Sequence, residues 1–448
     1  DRVEMYYREG EWTEEKTERA VIDLCHKLDK YSRNLTLDDL RKDKYCSMIP
    51  GLDRKTVDKV VESISGKIRQ GITREENKVI YHTGPHHDDI MLGILPACMR
   101  QVRVASNDVH FCVLTSGFTS VTDQFMENIL DDTLKLLDEG QIQMIFYPDF
   151  FNGGYKIKWY KDVYHYLNAT AQHNYAGMRR GICHRVVRGL VEIWHLEDKQ
   201  QMIEVINVII KTLRTSYKGS KSPEQIQKLK GMVREFEEEL VWAHFGVPIK
   251  NIHHLRLGFY KGDIFTEQPE HERDVEPILN QLRQLKPDII SLALDPEGSG
   301  PDTHYKVLQA IASAVKEWGR EKDLTELRVM GYRNVWYRFH PAEVNTIIPV
   351  SLNSMAVLES SFEKCYGSQV HASFPSYEYD GKFSDLTRKI WVDQLKQVQL
   401  LTGKGFFYES ELPILRATHG LVYAKDMSAD EFIAMAKDLE KIMEAAIF

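Results

Sequence analysis

Short apolar runs alternate with helical segments from residue 78 onwards, and the runs are bounded by polar, Gly or Pro residues. Five such runs are "KVIYHTG" (78–84), "DVHFCVLTSG" (108–117), "QIQMIFYPDF" (141–150), "PDIISLALDPEGSG" (287–300) and "RVMGYRNVWYRF" (328–339). Strands of nearly continuous apolar character, separated by helices, are typical of parallel sheets that are covered on both faces. The sequence therefore predicts an α/β fold with a doubly wound, mostly parallel sheet.

The first part of the chain has a different pattern. "TEEKTERAVIDLCHKL" begins with a Thr and acidic residues that are typical of a helix start, and "DRKTVDKVVESISGKIRQGI" has apolar residues at helical spacing. We expect residues 1–75 to form a helical lead-in or linker region and residues 76–448 to form the main domain. Within that domain, a long helical insertion is predicted at about 150–233 and a C-terminal extension at about 376–448.

Charge and hydropathy exclude several classes of protein. A net charge of -8 argues against a general binder of nucleic acid or anionic membranes. The sequence has no apolar stretch of the roughly 20 residues that a membrane span needs. It begins without the apolar segment of a signal peptide, and its six cysteines form no CxxC pair. We therefore expect a cytoplasmic protein with reduced thiols.

Polar residues cluster where three of the predicted strands end, at "GPHHDD", "TSG" and "DPEGSGPDTH". Carboxyl ends of parallel strands share one edge of a sheet, where ligands bind. His86 and Asp89 can aim at one point, and His304 can approach it from the later loop, giving three ligands for zinc or a similar ion. Asp88 could then act on a metal-bound water. The alternative is a polar turn in which the aspartates cap the following helix and the histidines are solvated.

The same motifs resemble a family. "PHHDDIMLG" is similar to the "AHPDDEVLG" signature of the PIG-L/LmbE-like de-N-acetylases, and four more motifs follow in the family's order. "VLTSG" resembles the family's Thr-x-Gly strand end, and "REFEEELVWAHFG" resembles its R-x-x-E helix. "DPEGSGPDTHYKV" resembles its D-P-x-G…H-P-D-H-x-x-V loop, and "YGSQ" resembles its H-x-S-Q motif. Together they span about residues 78 to 370.

The resemblance implies a Rossmann-like fold and zinc-dependent hydrolysis of an N-acetyl group on an amino sugar. It makes His86, Asp89 and His304 the metal ligands, with zinc or another divalent ion, and it makes Asp88 the general base. It also implies that Arg234 contacts the substrate, although an Arg followed by acidic residues is also typical of a solvated helix face.

Three further residues are assigned to the site, and two motif positions depart from the family. The resemblance implies substrate-binding roles for Ser116 and Tyr366. His87 stands where the family has Pro, so we expect it to lie behind the ligands or to face the substrate. The family's acidic residue after the Asp pair is Ile90 here, and the first His of H-P-D-H is replaced by Gly300.

A narrower group of longer proteins shows the same variant motifs. In that group a domain like glucosamine-6-phosphate deaminase/isomerase precedes the PIG-L-like region, so the resemblance implies an isomerase-like domain N-terminal to this chain. It also favours a small amino-sugar substrate of the N-acetylglucosamine type, phosphorylated or not. Arg179, Arg180, Arg185 and Arg188 could hold a phosphate, or they could form a solvated helix face.

Three functions remain open on the sequence. The first is a zinc-dependent N-acetyl-amino-sugar deacetylase. The second is a catalytically silent sugar-binding or regulatory module, which the altered motifs allow. The third is a zinc hydrolase of another amide or ester.

Overall fold

The computed structural model describes residues 2–147, 149–153, 159–217, 220–263, 266–295, 302–372 and 381–446. The chain begins with four helices: α1 (Arg2–Arg8), α2 (Glu14–Leu28), α3 (Leu37–Lys42) and α4 (Arg54–Gly71). Thr13 and Asp53 cap α2 and α4 by accepting hydrogen bonds from backbone N–H groups of the first turn. The predicted helical character of this region is therefore observed.

The centre of the molecule is a seven-stranded sheet. Its strands are β1 (Val79–Gly84), β2 (Asp108–Val113), β3 (Ile252–His254), β4 (Ile289–Ala293), β5 (Arg328–Tyr332), β6 (Thr346–Ser351) and β7 (Thr418–Ser428). They lie in the order β3-β2-β1-β4-β5-β7-β6. The first five are parallel to one another, whereas β7 is antiparallel to both β5 and β6. The predicted α/β fold with a mostly parallel sheet is confirmed.

The remaining helices connect and cover the strands. They are α5 (Asp89–Val102), α6 (Asp123–Asp138), α7 (Trp159–Ala171), α8 (Tyr175–Trp194), α9 (Lys199–Thr215), α10 (Glu224–His244), α11 (Glu276–Leu285), α12 (Asp302–Trp318), α13 (Leu352–Cys365), α14 (Phe383–Thr402), α15 (Gly405–Tyr408), α16 (Pro413–Arg416) and α17 (Ala429–Ala446). The segment predicted as a helical insertion contains α7, α8, α9 and the first half of α10.

Successive residues of the central strands enter different hydrophobic cores. Tyr81 and Ile290 belong to one core, whereas Ile80 and Ile289 belong to a second core. Because neighbouring side chains of a strand point to opposite faces of the sheet, both faces are covered. The helices α6, α8 and α9 build a third core with α10, away from the sheet.

The N-terminal helices pack directly on the sheet. Val57 and Ile64 of α4 share a core with Ile347 of β6 and Leu421 of β7. At the end of α4, a Cβ atom added to Gly71 would lie 1.9 Å from the backbone oxygen of Ile347. Only glycine allows this close approach between helix and strand.

One predicted strand is wrong. Residues 143–146 of "QIQMIFYPDF" form a short 3-10 helix, and the strand that lies beside β2 at the edge of the sheet is β3. Ile142, Met144 and Ile145 are buried in the core of the helical insertion, whereas Phe146 is exposed. A short apolar run can be buried without being a strand, and here the run packs in a core of helices rather than at a sheet edge.

The described helices include none that is both long enough and apolar enough to cross a lipid bilayer. All six cysteines are buried free thiols.

Candidate metal centre

The turn between β1 and α5 lies where the sheet order changes direction. From β1 the chain proceeds to β2 and β3 on one side, whereas β4 and β5 lie on the other side. Such a reversal opens a crevice at the carboxyl ends of the two central strands. The turn after β1 contributes residues 85–88 to this crevice, and the loop after β4 leads to the start of α12.

Asp88 ends this turn with an unusual backbone. Its φ angle is 91°, in the left-handed region that residues with a Cβ rarely occupy, and its side chain makes no capping bond to α5. The alternative of an aspartate that simply caps the helix therefore does not describe Asp88. His87 is also fully buried, so the histidines of this turn are not both solvated.

His86, Asp89 and His304 converge in the crevice. His86 Nδ1 lies 3.3 Å from His304 Nε2 and 3.6 Å from Asp89 Oδ2, and His304 Nε2 lies 3.3 Å from the same oxygen. Tetrahedral zinc binds nitrogen and oxygen ligands at about 2.0–2.2 Å, which places neighbouring ligand atoms about 3.3–3.6 Å apart. The three atoms therefore have the spacing of one face of a zinc tetrahedron, and the fourth corner is left for another ligand.

Neighbouring side chains fix the orientation of these groups. His304 Nδ1–H donates a short hydrogen bond to Asp295 Oδ2, so that Nε2 is the ring nitrogen that faces Asp89 and His86. Asn334 donates to Asp89 Oδ1 at 2.6 Å, and the backbone N–H of His86 donates to Asp89 Oδ2 at 2.7 Å. Burial lowers the pKa of His86, so its ring is neutral and able to coordinate.

The side chains of the triad change one another's pKa values. Burial alone would raise the pKa of Asp89, but His304 and His86 hold it below its ordinary value. Burial alone would lower the pKa of His304, but Asp89 and Asp295 raise it above its ordinary value. A proton or a cation is therefore favoured between these carboxylates, and a divalent ion would satisfy the same groups.

Arg234 connects α10 to the turn. Its guanidinium donates to the carbonyl of His87 at 2.6 Å and to Asp88 Oδ2 at 3.2 Å, and it also pairs with Glu237 at 2.8 Å. The Arg234 side chain is only 1 % exposed, so the alternative of a solvated helix face is wrong. Burial raises the pKa of Asp88 to about 8, with Asp89 and Glu238 adding to the effect and Arg234 opposing it.

Comparison with known proteins finds a distant relative. No family model matches the chain. A Bacteroides thetaiotaomicron protein named "Putative glucosamine-6-phosphate deaminase-like protein" is 27% identical over 194 residues, which cover 42% of this chain and 28% of that protein. The matched segment is thus less than half of this chain and less than a third of the relative's length. The PIG-L/LmbE resemblance rests on the motifs alone.

A layer of buried carboxylates lies behind Asp88 and Arg234. Glu238 accepts hydrogen bonds from Tyr366 Oη at 2.5 Å and from Trp242 Nε1 at 2.6 Å, and the N–H of Asp88 lies 3.4 Å from it. Glu237 accepts from Ser368 through both carboxylate oxygens. The Tyr366 hydroxyl therefore has Glu238 as its hydrogen-bond partner. Tyr366 supports the turn and does not face the triad.

His87 and Ser116 lie on the other side of the turn. The His87 ring stacks on His254, with centroids 5.7 Å apart, and neither of its ring nitrogens has a hydrogen-bond partner among the described residues. Burial keeps its pKa well below the ordinary value. His87 is therefore buried against His254, and its expected place behind the ligands or facing the substrate stays a prediction. Ser116 lines a groove that His254 also lines, and it packs next to Gly231 of α10.

Four residues of the site carried no assigned role in the sequence analysis: Asp295, Glu238, Tyr260 and Asn334. Asp295 and Asn334 follow β4 and β5 within two residues, so the rule that polar residues at strand ends gather at one edge could have identified both. Tyr260, whose ring packs edge-on against His86 at 5.4 Å, gave no such signal. Residues 296–301, which include Gly300, lie outside the described residues.

The basic run of α8 does not form one group. Arg185 is buried and pairs with Glu239 at 2.6 Å, and Arg188 is buried beside Glu192 and the carbonyl of Phe150. The solvated-face interpretation is therefore wrong for these two arginines. Arg179 is exposed and pairs with Asp132. The four side chains thus divide between the interior and the surface, which removes the basis for a shared phosphate site.

Proposed function

We propose that this chain is a metal-dependent hydrolase that removes an N-acetyl group from an amino sugar. The observation that carries the proposal is the spacing of His86, Asp89 and His304, whose ligand atoms lie 3.3–3.6 Å apart beside a strained aspartate. The amino-sugar substrate is supported by the name of the Bacteroides relative and by the motif resemblance. Zinc is the ion that best fits the donor set, although another divalent ion would find the same ligands.

A bound zinc ion would supply Lewis acidity, which lowers the pKa of water and polarises an amide carbonyl. The residues of the chain supply the proton transfers. Asp88, held by Arg234, accepts the proton that water loses when its oxygen attacks the carbonyl carbon, and then returns that proton to the amine nitrogen as the C–N bond breaks. The products are acetate and the free amino sugar.

The pKa of Asp88 suits this role. In the absence of a cation, burial raises the pKa of Asp88 to about 8, so the carboxyl group is largely protonated at neutral pH. A divalent cation in the neighbouring triad would favour the carboxylate and lower the pKa. Asp88 would then have a pKa closer to neutrality, as an efficient general base requires.

A second candidate, the silent sugar-binding module, has support from one observation. Tyr366 stands where the family has His, and its hydroxyl is bonded to Glu238. The Tyr366 hydroxyl therefore does not donate a hydrogen bond to a substrate oxygen on which negative charge develops. In this case the chain would bind an amino sugar, with or without metal, as part of a longer protein that includes an isomerase-like domain.

Acetate release separates the two candidates. The zinc-loaded protein is incubated with N-acetylglucosamine, its 6-phosphate and short oligomers, and acetate is measured together with metal content. We expect the wild-type protein to release acetate. We expect Asp88→Asn to release it at least about 100-fold more slowly while its metal content is unchanged. Asp58→Asn, on the exposed face of α4, serves as the matched control and should keep full activity. If wild type and Asp88→Asn are equally inactive, the hydrolase proposal is wrong.

A further inference from the structure

A long groove runs along α10 beside the candidate metal centre. Its volume is about 1300 Å3, and one wall is a single face of α10 formed by residues such as Gln227, Gly231 and Glu235. The opposite wall is the edge strand β3 with the loop that follows it, up to Lys261, and the last turn of α8 closes one side. Residues 224 to 239 of α10 contribute to the wall, a rise of about 22 Å at about 1.5 Å per residue.

The inner end of the groove reaches the metal centre through aromatic residues. Tyr260 and His254 line the groove, and their rings pack against His86 and His87 at centroid distances of 5.4 and 5.7 Å. His86 itself keeps 23 % of its side chain exposed. The inner end of the groove therefore lies one side chain away from His86, which is the most exposed residue of the triad.

The size and charge of the groove restrict the kind of molecule that fits. Pockets for drug-sized ligands have volumes of about 300–1,000 Å3, so a single sugar would leave most of this groove empty. Five cationic side chains and four carboxylates line it, and several form internal pairs, such as Lys228 with Glu224 and Arg256 with Glu235. This balance gives a phosphorylated ligand little net attraction, whereas paired charges are good partners for neutral hydroxyl groups.

Aromatic surface at the inner end also suits a sugar ring. His254 lies there, and its Nε2 faces Glu239 Oε1 at a distance of 3.7 Å. Beside His254, Phe118 and Tyr260 pack edge to face and present apolar surface to the same space. Donors and acceptors next to aromatic rings suit the polar edges and apolar faces of sugar rings.

We propose that this groove binds an extended, uncharged oligosaccharide whose N-acetylated sugar lies at the Tyr260 end. The inference rests on the proposed deacetylase function and specifies its substrate: several linked sugar rings rather than a monosaccharide or its phosphate. Several groove residues, including Glu192, His195 and Lys221, belong to the helical insertion. The insertion therefore acts as a wall of the substrate groove.

Binding measured without turnover tests the proposal. The zinc-loaded Asp88→Asn protein is titrated in a calorimeter with N-acetylglucosamine, with its 6-phosphate, and with its β-1,4-linked oligomers from dimer to hexamer. We expect the affinity to rise by at least about tenfold from dimer to pentamer, because each added ring makes further contacts in the groove. Affinity that does not depend on length, or tighter binding of the 6-phosphate than of any oligomer, would overturn the proposal.

Two tryptophan variants locate the binding. Lys228→Trp places a large ring in the groove, whereas Gln225→Trp places the same ring on an exposed part of α10 that does not line it. We expect Lys228→Trp to weaken pentamer binding by about tenfold and Gln225→Trp to leave it unchanged. Equal effects of the two variants contradict the proposal. Because these measurements use binding alone, they remain decisive if wild type releases no acetate, a result that would instead reject the hydrolase function.

Discussion

Individual residues of the candidate metal centre depend on partners that lie just outside it. Asp295 accepts a hydrogen bond from His304 Nδ1–H, and this bond determines which nitrogen of His304 faces the triad. Asn334 likewise orients Asp89, because its side-chain N–H donates a hydrogen bond to Asp89 Oδ1. The ligand geometry is therefore a property of at least five side chains.

Replacing Asp295 should weaken metal binding without removing a ligand. We expect Asp295→Asn to lower zinc affinity by about 10–100-fold, because the amide no longer favours the correct tautomer of His304. Competition with a chelator of known affinity measures the change. Asp323→Asn, on the surface, is the control, and an Asp295→Asn affinity equal to that of the control contradicts this role.

The sequence predicted that His86, Asp89 and His304 come together, because all three follow strands whose carboxyl ends share one edge. It could not assign the roles of the residues behind them. The Tyr366 hydroxyl turns to Glu238, and Arg234 turns to the backbone of His87, because of how α10 and the end of α13 pack together. Such contacts are set by tertiary packing, which a single sequence does not display.

Helix α4 offers a test at the scale of an element. A Cβ at Gly71 would collide with the backbone of Ile347, whereas a Cβ at Gly66 of the same helix meets nothing within 4 Å. We expect Gly66→Ala to stabilise the fold by about 0.5–1 kcal/mol through helix propensity. Gly71→Ala should destabilise it, since α4 must move away from β6. Urea unfolding measures both, and similar midpoints for the two variants would refute the close-approach argument.

Helix α10 is joined to the insertion by a buried ion pair. Arg185 of α8 pairs with Glu239, and although burial alone would raise the pKa of Glu239, Arg185 and His254 lower it to about 2. We expect Glu239→Gln to reduce the free energy of unfolding by about 3–5 kcal/mol at pH 7, because it leaves the guanidinium buried without its carboxylate. Glu224→Gln, in an exposed pair of the same helix, should change it by less than about 1 kcal/mol.

The effect should depend on pH. The folded pKa of Glu239 lies below the unfolded value, so its stabilisation is present above about pH 4.5 and is lost as the pH falls towards about 2. The difference between wild type and Glu239→Gln should therefore shrink over this range. A difference that stays constant between pH 7 and pH 3 would show that the ion pair is not its cause.

The elements themselves were predictable where their patterns were regular. Helices α2, α4, α5 and α12 and strands β1, β2, β4 and β5 follow from capping residues, helical spacing and apolar runs. Strand β3 has only three residues, two of them His, and β6 contains Pro349, which is tolerated because β6 lies at the edge of the sheet. These two strands carry no pattern that distinguishes them from loops.

At the scale of the whole molecule, metal binding should be linked to folding. A ligand that binds only the folded state stabilises it by about 2.7 kcal/mol at a concentration 100 times its Kd. We expect added zinc to raise the Tm of wild type by several degrees and to have little effect on His86→Ala. His271→Ala is the matched control. His271, Glu276 and Glu317 form a second, more exposed group of side chains that could hold a metal ion. If zinc stabilises His86→Ala as much as wild type, the ion binds elsewhere.

The position of β7 has a consequence for how the polypeptide is made. This strand lies between β5 and β6, yet it is synthesised last of the three, after more than sixty further residues have followed β6. During translation, β6 has no neighbour in the sheet until residues 418–428 leave the ribosome. The nascent chain must therefore carry α4 and β6 as unfinished parts, and folding of this side of the protein can be completed only after β7 has been synthesised and has entered the sheet.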